Sequence, residues 1–231
     1  MHSVLITGAN RGLGLEFARQ YAGDGWRVYA CCRNPSEASD LNTIAAASLD
    51  TVSIYGMEVT ESASVTAVAQ ALEGHPIDLL ISNAGIVGMG GWSPGKTDYE
   101  NWDETLRVNL LGATRILETF TDNVVQSNMK QMVVISSALG SIARVTNTSN
   151  LSYRTSKAGL NMAVKCFANA LFDRNVVCVT VSPGWVQTDM GGTNADLTPE
   201  ESVTNMRRLF TNLCPEQSGH FLSHDGTELP W

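Results

Sequence analysis

Val4-Leu5-Ile6-Thr7-Gly8-Ala9-Asn10-Arg11-Gly12-Leu13-Gly14 runs from a short apolar stretch through three spaced glycines into a helical pattern carried by Leu15, Phe17, Ala18 and Tyr21 as far as Gly23. The order is strand, glycine turn, helix. Glycines here allow a tight turn and let the backbone approach a ligand, and the free N–H groups of the helix N-terminus favour an anion. Glycine also ends strands for purely conformational reasons. Its place between a first strand and a first helix is what points to the pyrophosphate of a dinucleotide.

Strand and helix keep alternating outward from this turn. Strands are expected at Arg27–Cys32, Thr51–Tyr55, Ile77–Ile81, Met132–Ile135, Val176–Val181 and, briefly, His220–Leu222. Helices are expected at Ser36–Ala47, Glu61–Leu72, Asn101–Asn128, Leu151–Phe172 and Glu200–Leu213. The second of these has Ser62, Val65, Val68, Ala69 and Leu72 as an inner stripe. Such alternation implies right-handed crossovers and a parallel sheet with helices on both faces. The expectation is one α/β domain over residues 1–231, a Rossmann-type doubly wound sheet of about seven strands.

Composition agrees with a globular chain, at 43% apolar and 16% charged residues. A net charge of -8 without a basic block argues against a nucleic-acid partner. No stretch reaches membrane-spanning length and the N-terminus has no signal-peptide pattern. The five cysteines, Cys31, Cys32, Cys166, Cys178 and Cys214, are an odd set without CxxC spacing, read as buried reduced thiols of a cytoplasmic protein. His220 and His224 fall in a strand and turn where their spacing does not share a helical face, so no metal site is expected.

Ligands of such sheets bind at the carboxyl ends of the strands. The second strand ends in Cys32-Arg33-Asn34, with no carboxylate to bind ribose hydroxyls, and Arg11 stands in the glycine turn. Two guanidiniums suit a 2'-phosphate, so NADP is favoured over NAD. Asn83-Ala84-Gly85 follows the fourth strand, Ser136-Ser137 the fifth, and Pro183-Gly184-Trp185-Val186-Gln187-Thr188 the sixth. Tyr153 and Lys157 are four apart on a helix and share a face. A nearby ammonium favours the phenolate and moves the tyrosine pKa towards the working range.

These motifs, in this order and each after its own strand, resemble the short-chain dehydrogenase/reductase family over essentially the whole chain. The wording around Tyr153, Pro183 and Asp225–Trp231 is similar to its sniffer-type carbonyl reductases and C-factor-like proteins. The resemblance implies Tyr153 as general acid, Lys157 as the residue that tunes it and binds the nicotinamide ribose, Ser137 as the donor to the carbonyl oxygen with Ser136 as the alternative, and Asn109 as the anchor of a water. It implies cofactor contacts from Gly8, Asn10, Arg11, Gly12, Leu13 and Gly14 in the turn, from Arg33, and from Glu58 and Val59 near the adenine. Asn83, Ala84 and Gly85 would lie along the adenosine side, and Pro183, Gly184, Val186 and Thr188 near the carboxamide. It also suggests a homodimer through the helices at 101–128 and 151–172.

Two departures stand out. Ser137 precedes Tyr153 by sixteen positions, more than the family's usual spacing, so the loop Arg144–Asn150 must bulge. Glu58 stands where the family usually has Asp. The expected activity is NADPH-dependent reduction of small aldehydes or ketones in an open site, since Trp231 closes the chain with little room for a cap. Met89, Trp92, Trp185 and Met190 either line that site or simply pack, and Gly191–Thr198 is either a mobile lid over it or an ordinary surface loop. The alternatives are a dinucleotide-binding signalling protein of C-factor type and an NAD-dependent alcohol dehydrogenase.

Overall fold

The computed structural model describes residues 1–88 and 90–231. Seven strands form one sheet: β1 (Ser3–Thr7), β2 (Arg27–Cys32), β3 (Val52–Gly56), β4 (Leu79–Ser82), β5 (Gln131–Ile135), β6 (Val177–Ser182) and β7 (Phe221–Ser223). Their order is β3-β2-β1-β4-β5-β6-β7 and every pairing is parallel. The helices are α1 (Gly12–Gly23), α2 (Ser39–Ala47), α3 (Ser62–Ala71), α4 (Tyr99–Leu106), α5 (Ala113–Thr119), α6 (Thr121–Val125), α7 (Leu151–Ala170) and α8 (Pro199–Thr211). The expected doubly wound Rossmann-type architecture is therefore the one observed.

Period-two alternation along the strands divides the core in two. Val4, Ile6, Val28, Ala30, Leu79, Ile81, Val133 and Val179 face a layer containing Phe17, Leu41, Val203, Met206 and Phe210, which belong to α1, α2 and α8. Leu5, Tyr29, Leu80, Met132, Val134 and Cys178 face Val65, Val68, Ile116, Leu117, Leu160 and Val164 from α3, α5 and α7. Each strand carries apolar residues on both sides because both faces are covered.

Local chemistry sets several boundaries. Thr198 and Glu201 form a reciprocal capping box with Pro199 at the start of α8. The Asp98 carboxylate accepts from Asn101 N–H at 3.0 Å and opens α4. Three expectations need correction. Ser62 is exposed and outside the α3 stripe, which rests on Val65, Val68 and Leu72. Of the cysteines, Cys166 is exposed and Cys214 half-buried, while Cys31, Cys32 and Cys178 are buried. The helix expected at 101–128 is interrupted by a π turn at Arg107–Gly112 and ends in the separate short helix α6.

The chain leaves β1 for β2 and β3 on one side, then crosses back through α3 to place β4 on the other side of β1. The reversal opens a crevice at the carboxyl ends of β1 and β4.

Candidate active site

Close packing shapes the glycine turn in that crevice. Gly8 and Gly12 have φ of 67° and 53°, conformations that favour glycine. A Cβ on Gly14 would stand 2.1 Å from the Gly8 carbonyl oxygen. Asn83 Nδ2 donates to the carbonyl oxygens of Thr7 (2.9 Å) and Gly8 (3.3 Å). The backbone N–H groups of Asn83 and Ala84 both donate to Thr7 Oγ1 at 3.0 Å. Asn83 thus ties β4 to the turn through Nδ2. The N-terminus of α1 has neither a side-chain cap nor a first-turn acid, which leaves its N–H groups available to an anion. Asn10 is exposed there, and Leu13 packs partly against the core.

Helix α7 packs against β5 and brings together the predicted acid and the lysine expected to tune it. Tyr153 and Lys157 are both buried, with Lys157 Nζ 5.6 Å from the centre of the tyrosine ring. Nζ donates to the carbonyl oxygen of Ile135, the last residue of β5, at 2.8 Å. Burial lowers the lysine pKa from 10.5 to about 8. The expected lowering of the tyrosine is not the net effect here. Burial of the phenol pushes its pKa up, and a hydrogen bond with Ser137 only partly opposes this.

The two serines after β5 are separated by their partners. Ser136 is buried and donates from Oγ to Asn161 Oδ1 at 2.6 Å. Ser137 accepts from Leu139 N–H at 3.1 Å, and its hydroxyl holds the Tyr153 pKa below what burial alone would give. With its acceptor side satisfied by the backbone, the Ser137 hydroxyl keeps its proton for the tyrosine or a substrate oxygen. The long spacing to Tyr153 is absorbed by Arg154, which donates from Nε to Ser149 O (2.8 Å) and from Nη2 to Asn147 Oδ1 (3.1 Å). Asn150 then takes a left-handed φ of 56° ahead of α7.

Asn109 lies in the π turn, fully buried. Its Oδ1 accepts from Ile86 N–H at 2.8 Å, and its Nδ2 donates to Ile86 O (2.8 Å) and Ser156 Oγ (3.0 Å). The side chain therefore pins the loop after β4 to α7, a job that a widened turn makes possible. A Cβ on Gly85 would lie 3.2 Å from Asn109 Oδ1 and 3.7 Å from Lys157 Nζ. Glycine at 85 keeps the space between those two groups open.

Beyond the ends of β2 and β3 lies a cavity of 600 Å³ lined by Arg33, Glu58, Thr60, Tyr99, Asp103 and Arg107, among others. Glu58 Oε1 accepts from Thr60 N–H (3.0 Å) and Thr60 Oγ1 (2.8 Å). Val59 is buried and its carbonyl accepts from Arg115 Nη1 at 2.6 Å. Arg107 and Asp103 were not singled out in the sequence. Their one signal is a charged helix face, which is ordinarily just solvated.

The segment after β6 folds on itself. Val186 is buried and bridges to Leu197, while Gln187 N–H donates to Leu197 O at 2.8 Å. Pro183 O accepts from Ser202 Oγ at 2.7 Å, and Gly184 has φ 84° with Leu197 Cδ1 2.7 Å from where its Cβ would be. Thr188 packs over Gly12, 3.5 Å from the position of a Cβ there. Arg11 pairs with Asp189 at 2.8 Å, so this loop meets the glycine turn through a charge pair. Trp185 and Met190 are exposed on it. Met89 lies outside the described residues, and Trp92 lines a separate apolar cavity of 260 Å³ with Leu139, Ile142 and Val145. His220 pairs with Glu228 at 3.2 Å, and His224 Nε2 is 3.2 Å from where a Gly184 Cβ would sit.

A family model described as short chain dehydrogenase matches residues 2–198. C-signal of Myxococcus xanthus is 40% identical over 157 residues, covering 68% of this chain and 93% of that protein. Among solved structures, the carbonyl reductase Sniffer of D. melanogaster superposes with a TM-score of 0.93 at 28% identity, covering 100% of both chains. An NADPH-bound carbonyl reductase from chicken fatty liver gives a TM-score of 0.92 at 33% identity, covering 100% of this chain and 99% of that one. Among the described residues no helix is long and apolar enough to cross a membrane.

Proposed function

This chain belongs to the short-chain dehydrogenase family, and from that premise we propose that it is an NADPH-dependent reductase of aldehyde or ketone carbonyls. The observation that carries the reading is the buried Tyr153–Lys157 pair, with Nζ 5.6 Å from the centre of the phenol ring and fixed to the carboxyl end of β5 through Ile135 O, where Ser137 follows. The uncapped α1 N-terminus above Gly14 fits a pyrophosphate, and the nicotinamide group supplies the hydride when it is bound.

In this reading the residues divide the work as follows. Ser137 donates to the carbonyl oxygen and stabilises the negative charge that grows there. Tyr153 gives its proton to that oxygen, and burial favours the protonated phenol that a reductase needs. Lys157 stabilises the charge left on the phenol, and Ile135 O holds it in place. Asn109 fixes the loop beyond β4 so that the space by Gly85 stays open to the lysine, and a water there would link it to solvent. The same resemblance supports a cytoplasmic homodimer through α4–α6 and α7, whose outer faces expose Leu111 and Met162.

The test is NADPH against NADH binding, followed by oxidation of bound NADPH with small aldehydes and diketones. NADPH binding with turnover that disappears in Tyr153→Phe supports the reductase; absence of binding by either cofactor sinks it. A second reading, a dinucleotide-binding signalling protein, is favoured by the likeness to C-signal. Tight binding without turnover of any carbonyl would move the weight to it.

A further inference from the structure

Arg33 and Arg107 line the same 600 Å³ cavity, Arg33 from the end of β2 and Arg107 from the junction of α4 with the π turn. Both are exposed. Asp103 and Glu104 stand four and three positions before Arg107, the spacings at which opposite charges on a helix pair. They do not pair with it. Among the described residues the arginine ion pairs are Arg11–Asp189, Arg19–Glu16, Arg174–Asp122 and Arg207–Asp24. Arg33 and Arg107 have neither an ion pair nor a side-chain hydrogen bond there, although Glu58, Glu100, Asp103 and Glu104 line the same cavity.

A guanidinium cannot shed its proton, so two of them facing one space favour an anion between them. We propose that Arg107 is a specificity-determining residue that joins Arg33 in holding the 2'-phosphate of the adenosine ribose. The inference rests on the NADPH reading above and names the residue that would enforce it. Arg11 already has Asp189 as its partner at 2.8 Å. With four carboxylates on the cavity wall, one guanidinium gives a phosphate little local advantage, and a second one beside the same space adds to it. A planar fork also meets phosphate oxygens in pairs, which a diffuse positive surface does not.

The experiment compares 2',5'-ADP with 5'-AMP, two probes that differ only by the 2'-phosphate and need no nicotinamide. Their dissociation constants are measured by calorimetry on the wild type, Arg107→Gln, Arg107→Lys and, as a reference, Arg33→Gln. The wild type should bind 2',5'-ADP the more tightly. Arg107→Gln should weaken 2',5'-ADP by about tenfold and 5'-AMP by less than about twofold, as expected for one lost charged hydrogen-bonding partner. Arg107→Lys should recover part of that loss. Equal weakening of both probes, or no weakening of either, overturns the role of Arg107 while leaving NADPH binding by the wild type intact. A wild type that binds both probes equally overturns the NADPH reading itself, and this inference with it.

Discussion

Lys157 Nζ donates to the carbonyl oxygen of Ile135 at 2.8 Å, which locks α7 to the strand whose next residues are Ser136 and Ser137. One hydrogen bond thus registers the helix that carries the phenol against the turn that carries its partner hydroxyl. The lysine is buried with a neutral oxygen as its partner, so its charge is costly and its pKa falls to about 8.

That shift gives a pH prediction. Below pH 8 the Lys157 ammonium is retained, and above it the charge is lost, so carbonyl reduction should fall as pH rises through about 8. The folded pKa lies below the ordinary 10.5, so between those two values the unfolded chain binds more protons and stability should rise with pH. Lys157→Met should remove both dependences, read from initial rates and urea midpoints across pH. A rate profile that is flat through pH 8 in the wild type would contradict the lysine's role.

Tyr153→Phe keeps the ring in its buried place and removes only the hydroxyl. NADPH binding should persist, with carbonyl-dependent oxidation reduced by about 10²–10⁴-fold, the usual worth of a general acid. Turnover within tenfold of wild type would assign the proton to another group.

The serines should fail in different ways. Ser136→Ala leaves Asn161 Oδ1 without its 2.6 Å donor in a buried place, at a cost of about 1–3 kcal/mol in denaturant unfolding. Ser137→Ala loses the side-chain cap of Leu139 N–H, about 0.5–2 kcal/mol, and should in addition lower kcat, which Ser136→Ala should not do beyond its effect on stability. The reverse pattern would exchange their roles.

Two glycines of α1 make a matched pair. Gly14→Ala puts a Cβ 2.1 Å from the Gly8 carbonyl oxygen and should cost at least the ~1–3 kcal/mol of overpacking, with loss of dinucleotide binding. Gly23→Ala meets nothing within 4 Å and should be neutral, or stabilising by about 0.5–1 kcal/mol. Melting curves and NADPH titrations on the two variants separate a local clash from a general effect on the helix.

What the sequence determined by itself was whatever is carried by near neighbours in the chain. Strand and helix periodicity, the glycines between β1 and α1, and the four-residue step from Tyr153 to Lys157 are local patterns, and they were enough to establish the parallel sheet and bring two of the site residues together. The tertiary structure decided what depends on residues far apart. It set Ser136 against Asn161 and left Ser137 to Tyr153, opened a π turn so that Asn109 could reach Ile86, and tied Arg11 to Asp189 across the crevice. It also brought Arg107 onto the cavity of Arg33. The sign of the tyrosine shift belongs to the same class. Proximity to an ammonium is readable from spacing, but the desolvation that raises the tyrosine pKa exists only once the sheet and α7 have closed around the phenol.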